Sequence, residues 1–146
     1  MKGDKLYKAA LSEVKKEGSD IKLVLKLLNQ AIDKGNYNAS YALGTWYLHG
    51  TNVKKDFHKA FDLVKRATEI KLPSACFDLA VCYETGQGVE KNEKGAFKYY
   101  LLAALEGEKQ SIYEVGRCFY YGIGIDEDKE IGQIWLDRAN KMGISS

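Results

Sequence analysis

PSACFDLAVCYETGQGVEKNEKGAFKYYLLAALEG, residues 73–107, decides the fold. It opens on Pro73, the one proline of the chain. Proline suits the first turn of a helix, where a missing N–H costs no hydrogen bond. Ala75, Leu79, Cys82 and Tyr83 then recur at helical spacing on one face. Thr85-Gly86-Gln87-Gly88 breaks that helix, because glycine takes left-handed dihedrals without strain. Asn92 is placed to cap a second helix through its side chain, and Gly107 to stop it. The stretch reads as a hairpin of two helices.

The hairpin repeats with a period of 36 residues, seen at Gly50, Gly86 and Gly122. Leu43, Leu79 and Val115 keep the same step, as do Tyr47, Tyr83 and Phe119, then Val53, Val89 and Ile125. Ala31, Ala67, Ala103 and Ala139 keep it through four units. So do the expected caps Asp20, Asp56, Asn92 and Asp128. The 146 residues divide into units 1–36, 37–72, 73–108 and 109–144 of a single domain, the first of them degenerate. There Val14 stands where the others have the loop glycine. Asn52 replaces the second loop glycine in the second unit, and Asn tolerates left-handed backbone. Lys71 stands where Gly35, Gly107 and Gly143 stop the other second helices. Small residues at Gly44, Ala80 and Gly116 mark where paired helices approach closely. One such hairpin cannot bury its apolar face alone, but stacked hairpins cover one another. The expected fold is all-α: a right-handed α/α superhelical solenoid of about four helix-turn-helix repeats, with a concave face made largely by the first helices.

Net charge is +2 and unevenly spread. Residues 1–72 carry 14 Lys/Arg against 8 Asp/Glu, and residues 73–146 carry 8 against 12. The basic half could face an acidic partner, yet no dense Lys/Arg cluster argues for nucleic acid. No apolar run approaches the ~18 residues of a membrane span. The opening MKGDKLYKAALSEVKKEG lacks the apolar core of a secretory signal. Cys76, Cys82 and Cys118 form no CxxC pair. The odd count reads as reduced thiols in a cytoplasmic protein, with Cys82 and Cys118 as small buried hydrophobes.

No residue set argues for an enzyme, a metal or a cofactor. His49 and His58 are the only histidines, and neither lies in a nucleophile signature. Gly86-Gln87-Gly88 and Gly122-Ile123-Gly124 lack the Gly-Lys-Ser/Thr of a phosphate loop and read as turns. Asp126, Glu127, Asp128 and Glu130 lack the order of a calcium loop.

ASYALGTWYLHGTNVKKDFHKAFDLVKRA, the third-unit stretch and SIYEVGRCFYYGIGIDEDKEIGQIWLDRANKMG resemble the Sel-one-like (SLR) repeat family, relatives of the tetratricopeptide repeat. The shared frame is Ala-x-x-x-Leu-Gly-x-x-Tyr-x-x-Gly, then Gly-Val, a cap, Lys-Ala and a terminal Ala-Ala-x-x-Gly. The proline after the loop Gly-Val is absent here, and Gly132 replaces the usual alanine of the last second helix. The resemblance implies a protein-interaction module: an adaptor, scaffold, regulator or bacterial immunity (antitoxin-like) protein, binding a protein partner in its concave groove. By analogy with tetratricopeptide repeats, the groove would be lined by Tyr41, Thr45 and His49, by Phe77 and Glu84, and by Tyr113, Arg117, Tyr120 and Tyr121. Tyr41, Phe77 and Tyr113 form an aromatic ladder that packing between hairpins would also explain. Arg117 has no evident packing role on a first helix, which favours it as an anchor. The alternative is a self-assembling structural protein, monomer to weak end-to-end dimer, because no polar capping helix follows the last repeat.

Overall fold

The computed structural model describes residues 1–145, all of the chain but its last residue. Eight α-helices follow in order: α1 Asp4–Val14, α2 Ile21–Asp33, α3 Tyr37–His49, α4 Phe57–Ala67, α5 Pro73–Thr85, α6 Glu93–Leu105, α7 Lys109–Tyr121 and α8 Lys129–Lys141. No strand occurs among the described residues. The helices α3, α5 and α7 begin 36 residues apart, as do α2, α4, α6 and α8, so the sequence period is the structural period. The helices fall into two compact units. Met1–Glu69 holds α1 to α4, and the unit from Ile70 onward holds α5 to α8.

Local chemistry sets the helix ends. Asp20, Asp56, Asn92 and Asp128 each accept the N–H three residues on, from Leu23, Lys59, Gly95 and Ile131, at 3.0–3.2 Å. This satisfies one of the free donors of each second helix. Gly50, Gly86 and Gly122 end α3, α5 and α7 in the left-handed conformation. Among the described residues, Asn52 and Lys71 are the non-glycine residues with positive φ, 60° and 54°, at the two positions where the repeat elsewhere has glycine. The degenerate first hairpin runs its α1 through Val14 and moves the left-handed residue on to Gly18, at φ 67°.

The caps of the first helices were not legible in the period. Asn36 caps α3 by accepting from the Ala39 N–H at 2.9 Å, and its amide donates to Asp4 Oδ1 at 2.8 Å and to the Lys2 carbonyl at 3.2 Å. It is fully buried with every polar atom satisfied. Glu108 caps α7, its carboxylate accepting from the Ser111 N–H at 2.7 Å and the Gln110 N–H at 3.2 Å. Leu72 stands at the start of α5 with no side-chain cap, and Pro73 removes one donor that would need one.

Within each unit the two helices of a hairpin pack on each other, and the second helix packs on the next first helix: α2 on α3, and α6 on α7. The first unit buries Ala10, Val24, Leu28, Ala31, Ala39 and Leu43. The second buries Ala80, Ala96, Tyr100, Val115 and Cys118 as one cluster. Glycine is required where the pairs close up. A Cβ on Gly44 would meet Val64 Cγ2 at 2.9 Å, and one on Gly116 would meet Leu136 Cγ at 2.9 Å. Gly132 is a third such point: a Cβ there would lie 2.7 Å from the backbone N of Tyr120. The departure from the family alanine therefore goes with a closer approach of α8 to α7.

Gly132→Ala, which restores the family residue, is accordingly expected to destabilise the protein. Alanine gains ~1 kcal/mol of helix propensity, but overpacking against backbone costs ~1–3 kcal/mol. A lower midpoint in thermal or urea denaturation is the expected result.

Candidate functional site

The second unit brings four polar side chains into one cluster. Arg117 on α7 places Nη2 2.8 Å from both carboxylate oxygens of Glu84 on α5. Its Nε donates to Glu114 Oε2, one turn back on α7, at 2.7 Å. The hydroxyl of Tyr100 on α6 donates to Glu84 Oε1 at 2.7 Å. The Arg117, Glu84 and Glu114 side chains are 25%, 23% and 16% exposed. Tyr100 is buried. Burial and the Glu84 bond push its phenol far above its ordinary pKa. Burial alone would lower the Arg117 pKa, but its bonds to Glu84 and Glu114 outweigh that and raise it. One cation between two carboxylates leaves the cluster with net charge −1.

This overturns the reason for singling out Arg117. It does have a packing role, tying α5 to α7 through Glu84, and Glu84 is engaged in the same way. Partner and cation lie 33 residues apart. That is one period less about one helical turn, the offset of side chains facing each other on stacked first helices.

Beside the cluster, Tyr113, Arg117 and Tyr121 of α7 and Leu136, Asp137 and Asn140 of α8 line a surface depression of about 390 Å³. Tyr121 is 66% exposed, with its ring 5.0 Å edge-on from that of Tyr120. Asp137 is exposed and accepts from the Gln133 amide at 2.9 Å. Tyr120 is not part of this wall. Its ring lies 5.4 Å beneath the Lys129 ammonium and its backbone abuts Gly132, so it packs toward α8 instead of extending the patch. Phe77 is half-buried with its ring 5.8 Å from that of Tyr100, a packing contact. In the first unit, Tyr41 is half-buried, Thr45 donates to the Ala42 carbonyl at 2.7 Å, and His49 is exposed at the end of α3. Sequence reasoning missed Tyr100, Glu114 and Asp137. The spacing of Glu114 to Arg117, i to i+3 on one helix face, was the available signal.

The thiols are buried as expected. Burial, then Asp78, pushes Cys82 up to about 11. Burial pushes Cys118 up to about 12, with the nearby carboxylates adding to it and Arg117 opposing. Cys76 is raised by burial and then by Glu106. Thiols held protonated at neutral pH are poor nucleophiles. No group of three or more His, Cys, Asp or Glu suited to a metal occurs among the described residues. No helix among them is long and apolar enough to cross a membrane.

The stacked hairpins and the closed glycine contacts define a helical-repeat protein of the Sel1 type. Residues 38–69, 73–108 and 109–144 each match the Sel1 repeat, and the chain belongs to that family. It is similar to protein SHC1 of Saccharomyces cerevisiae, 32% identical over 87% of this chain and 25% of that protein. The chitin synthase regulator SKT5 of the same yeast is 37% identical over 65% of this chain and 14% of that protein. The chain thus spans a quarter or less of these curated relatives. The crystal structure of a Sel1 repeat protein from Oxalobacter formigenes superposes with a TM-score of 0.87 at 29% identity, over 97% of this chain and 42% of that one.

Two outcomes follow from the cluster and the thiols. Arg117→Ala leaves Glu114 without its cation and Glu84 with the Tyr100 hydroxyl alone. It is expected to cost ~1–3 kcal/mol, below the full penalty of a buried pair because the group is a quarter exposed; urea denaturation measures it. At pH 8 a disulfide thiol reagent should leave the native protein almost unmodified and titrate all three cysteines once guanidinium unfolds it.

Proposed function

We propose that this chain is a binding module in which the α7 face of the second unit takes a basic side chain of a protein partner. Sel1 repeat proteins generally bind other proteins. The observation that carries the reading is the depression walled by Tyr113 and Tyr121. The charged residues in its lining are Asp137 and Arg117, and Arg117 is itself bonded to the carboxylates of Glu84 and Glu114. Two aromatic walls with excess negative charge favour a cation by cation–π attraction and charge complementarity. Residues 73–146 carry a net charge of −4, which would steer such a partner. Arg117 acts in this reading by holding Glu84 and Glu114 in place. Phe77 and Tyr120 support it by packing. Tyr41, Thr45 and His49 are proposed as the corresponding first-helix surface of the first unit.

The module works without catalysis, as an adaptor or regulator in the cytoplasm. An immunity or antitoxin role is one specific form of the same reading; deleting the gene would then release the toxicity of a cognate toxin, and no such toxicity would sink that form. A second reading, self-association, draws on α8. There Ile131, Ile134 and Met142 are 40%, 63% and 46% exposed. The positions one, two and three periods before Ile134 are Lys98, Asp62 and Lys26. Sedimentation of wild type against Ile134→Lys decides it: a dimer lost in the variant supports it, and a monomer at high concentration dismisses it.

For the binding reading, Tyr113→Ala and Tyr121→Ala together are expected to weaken capture of the natural partner by at least about tenfold, equivalent to ~1.4 kcal/mol. The thermal midpoint should move little, since Tyr121 is largely exposed. Retained affinity with both rings gone overturns the assignment of this face.

A further inference from the structure

The first unit contains an apolar crevice of about 270 Å³ that the repeat fills elsewhere with its own side chain. Its walls are Leu11 and Val14 of α1, Leu28 of α2, and Ala42 and Trp46 of α3, with Thr51 at the rim. Thr51 is exposed, so the crevice opens beside the loop that follows α3. In the second unit the corresponding place is taken by Ile123. The residue one period before Ile123 is Gln87, and two periods before it is Thr51. Ile123 packs into the core cluster of Ala80, Ala96, Tyr100, Val115 and Cys118. Its loop lies so close over α6 that Gly124 leaves no space for a Cβ against the Glu93 carbonyl. Leu28 stands at the repeat position of Tyr100, and Leu11 at that of Tyr47, Tyr83 and Phe119. The crevice thus lies, in the first unit, where Ile123 packs in the second, with Thr51 at the Ile123 position and Trp46, in place of Cys118, as one wall.

We infer that this crevice is a docking socket for an aliphatic side chain of an acidic segment of a partner protein. The shape is that of the Ile123 seat, which selects an aliphatic anchor. The charge comes from the surrounding unit. Residues 1–69 carry 13 Lys/Arg against 8 Asp/Glu, a net of +5. Lys54 and Lys55 follow the rim residue Thr51 within four positions, and Lys15 and Lys16 follow Val14 directly. Lys16 is paired with Glu13 at 3.0 Å, but Lys15 and Lys54 are exposed. A partner segment with carboxylates flanking a leucine or isoleucine matches both features. The socket does not depend on the α7 face. It lies on other helices and takes a partner of opposite charge.

The test uses ¹⁵N-labelled full-length protein and three hexapeptides, N-acetylated and C-amidated. DELLED carries the proposed chemistry, DESSED lacks the anchor, and KRLLRK reverses the charge. The indole N–H resonance of Trp46 reports on the socket wall. The expected result is a saturable shift with DELLED and none with DESSED or KRLLRK. Thr51→Ile and Leu11→Phe, each borrowing the residue of the last repeat, should fill the crevice and weaken DELLED at least about tenfold. Their thermal midpoints should stay at or above wild type, so a loss of binding is not a loss of fold. Tyr121→Ala should leave the DELLED response unchanged, which separates this socket from the α7 face. No saturable shift with DELLED, equal binding of KRLLRK, or full affinity in both filled variants overturns the inference.

Discussion

Every glycine-turn hairpin in this chain closes on one backbone hydrogen bond at the base of its loop. The N–H of Asp56 donates to the Tyr47 carbonyl at 3.0 Å, that of Asn92 to Tyr83 at 2.8 Å, and that of Asp128 to Phe119 at 2.7 Å. The same three residues use their side chains to cap the helix they begin. One residue therefore fixes the loop span through its backbone N–H and the helix start through its Asp or Asn side chain. The aromatic residue whose carbonyl accepts this bond packs near the second helix: Tyr83 stacks on Tyr99 at 5.8 Å, and Phe119 meets Phe97 at 5.3 Å. In the degenerate first hairpin the bond is made differently. The Asp20 N–H donates to a Glu13 carboxylate oxygen at 3.1 Å, so a side chain replaces the missing carbonyl geometry. The hairpin survives the loss of its loop glycine because the donor is still satisfied.

Once the loops are closed, glycine and alanine set how near the paired helices come, and this decides what the outer surface can carry. In the α7–α8 pair Gly116 and Gly132 both exclude a Cβ. The packing of α8 on α7 puts Asp137 and Asn140 beside Tyr113 and Tyr121 around a depression. At the other stack the second unit seats Ile123 against its core, and the first has a crevice beside Thr51. A repeat fold can change its surface in this way without changing its frame, because each position is tested only against its immediate neighbours. Buried polar groups are the part least free to vary. Tyr100, Glu84, Arg117 and Glu114 share one bonding scheme; removing Glu84 strips Tyr100 of its acceptor, and removing Arg117 strips Glu114 of its cation.

The sequence by itself determined the helical hairpin, its period, its turns and its second-helix caps. Those features are encoded within a few residues: a left-handed glycine, an Asp or Asn before a helix, a proline at a first turn. Asn52 and Lys71 were readable as glycine substitutes because backbone conformation at those sites is a local matter. It also marked Gly44 and Gly116 as points of contact, since a small residue recurring on an apolar face has few other uses. Only the tertiary structure decided what the first-helix side chains do. Arg117 looked unoccupied because its partner Glu84 lies 33 residues away on another helix. Tyr120 and Tyr121 are adjacent in sequence, yet one packs toward α8 and the other stands in solvent, because successive residues on a helix point about 100° apart. The crevice at Trp46 is invisible in any single repeat. Its walls come from α1, α2, α3 and the loop after α3, and only packing brings those together.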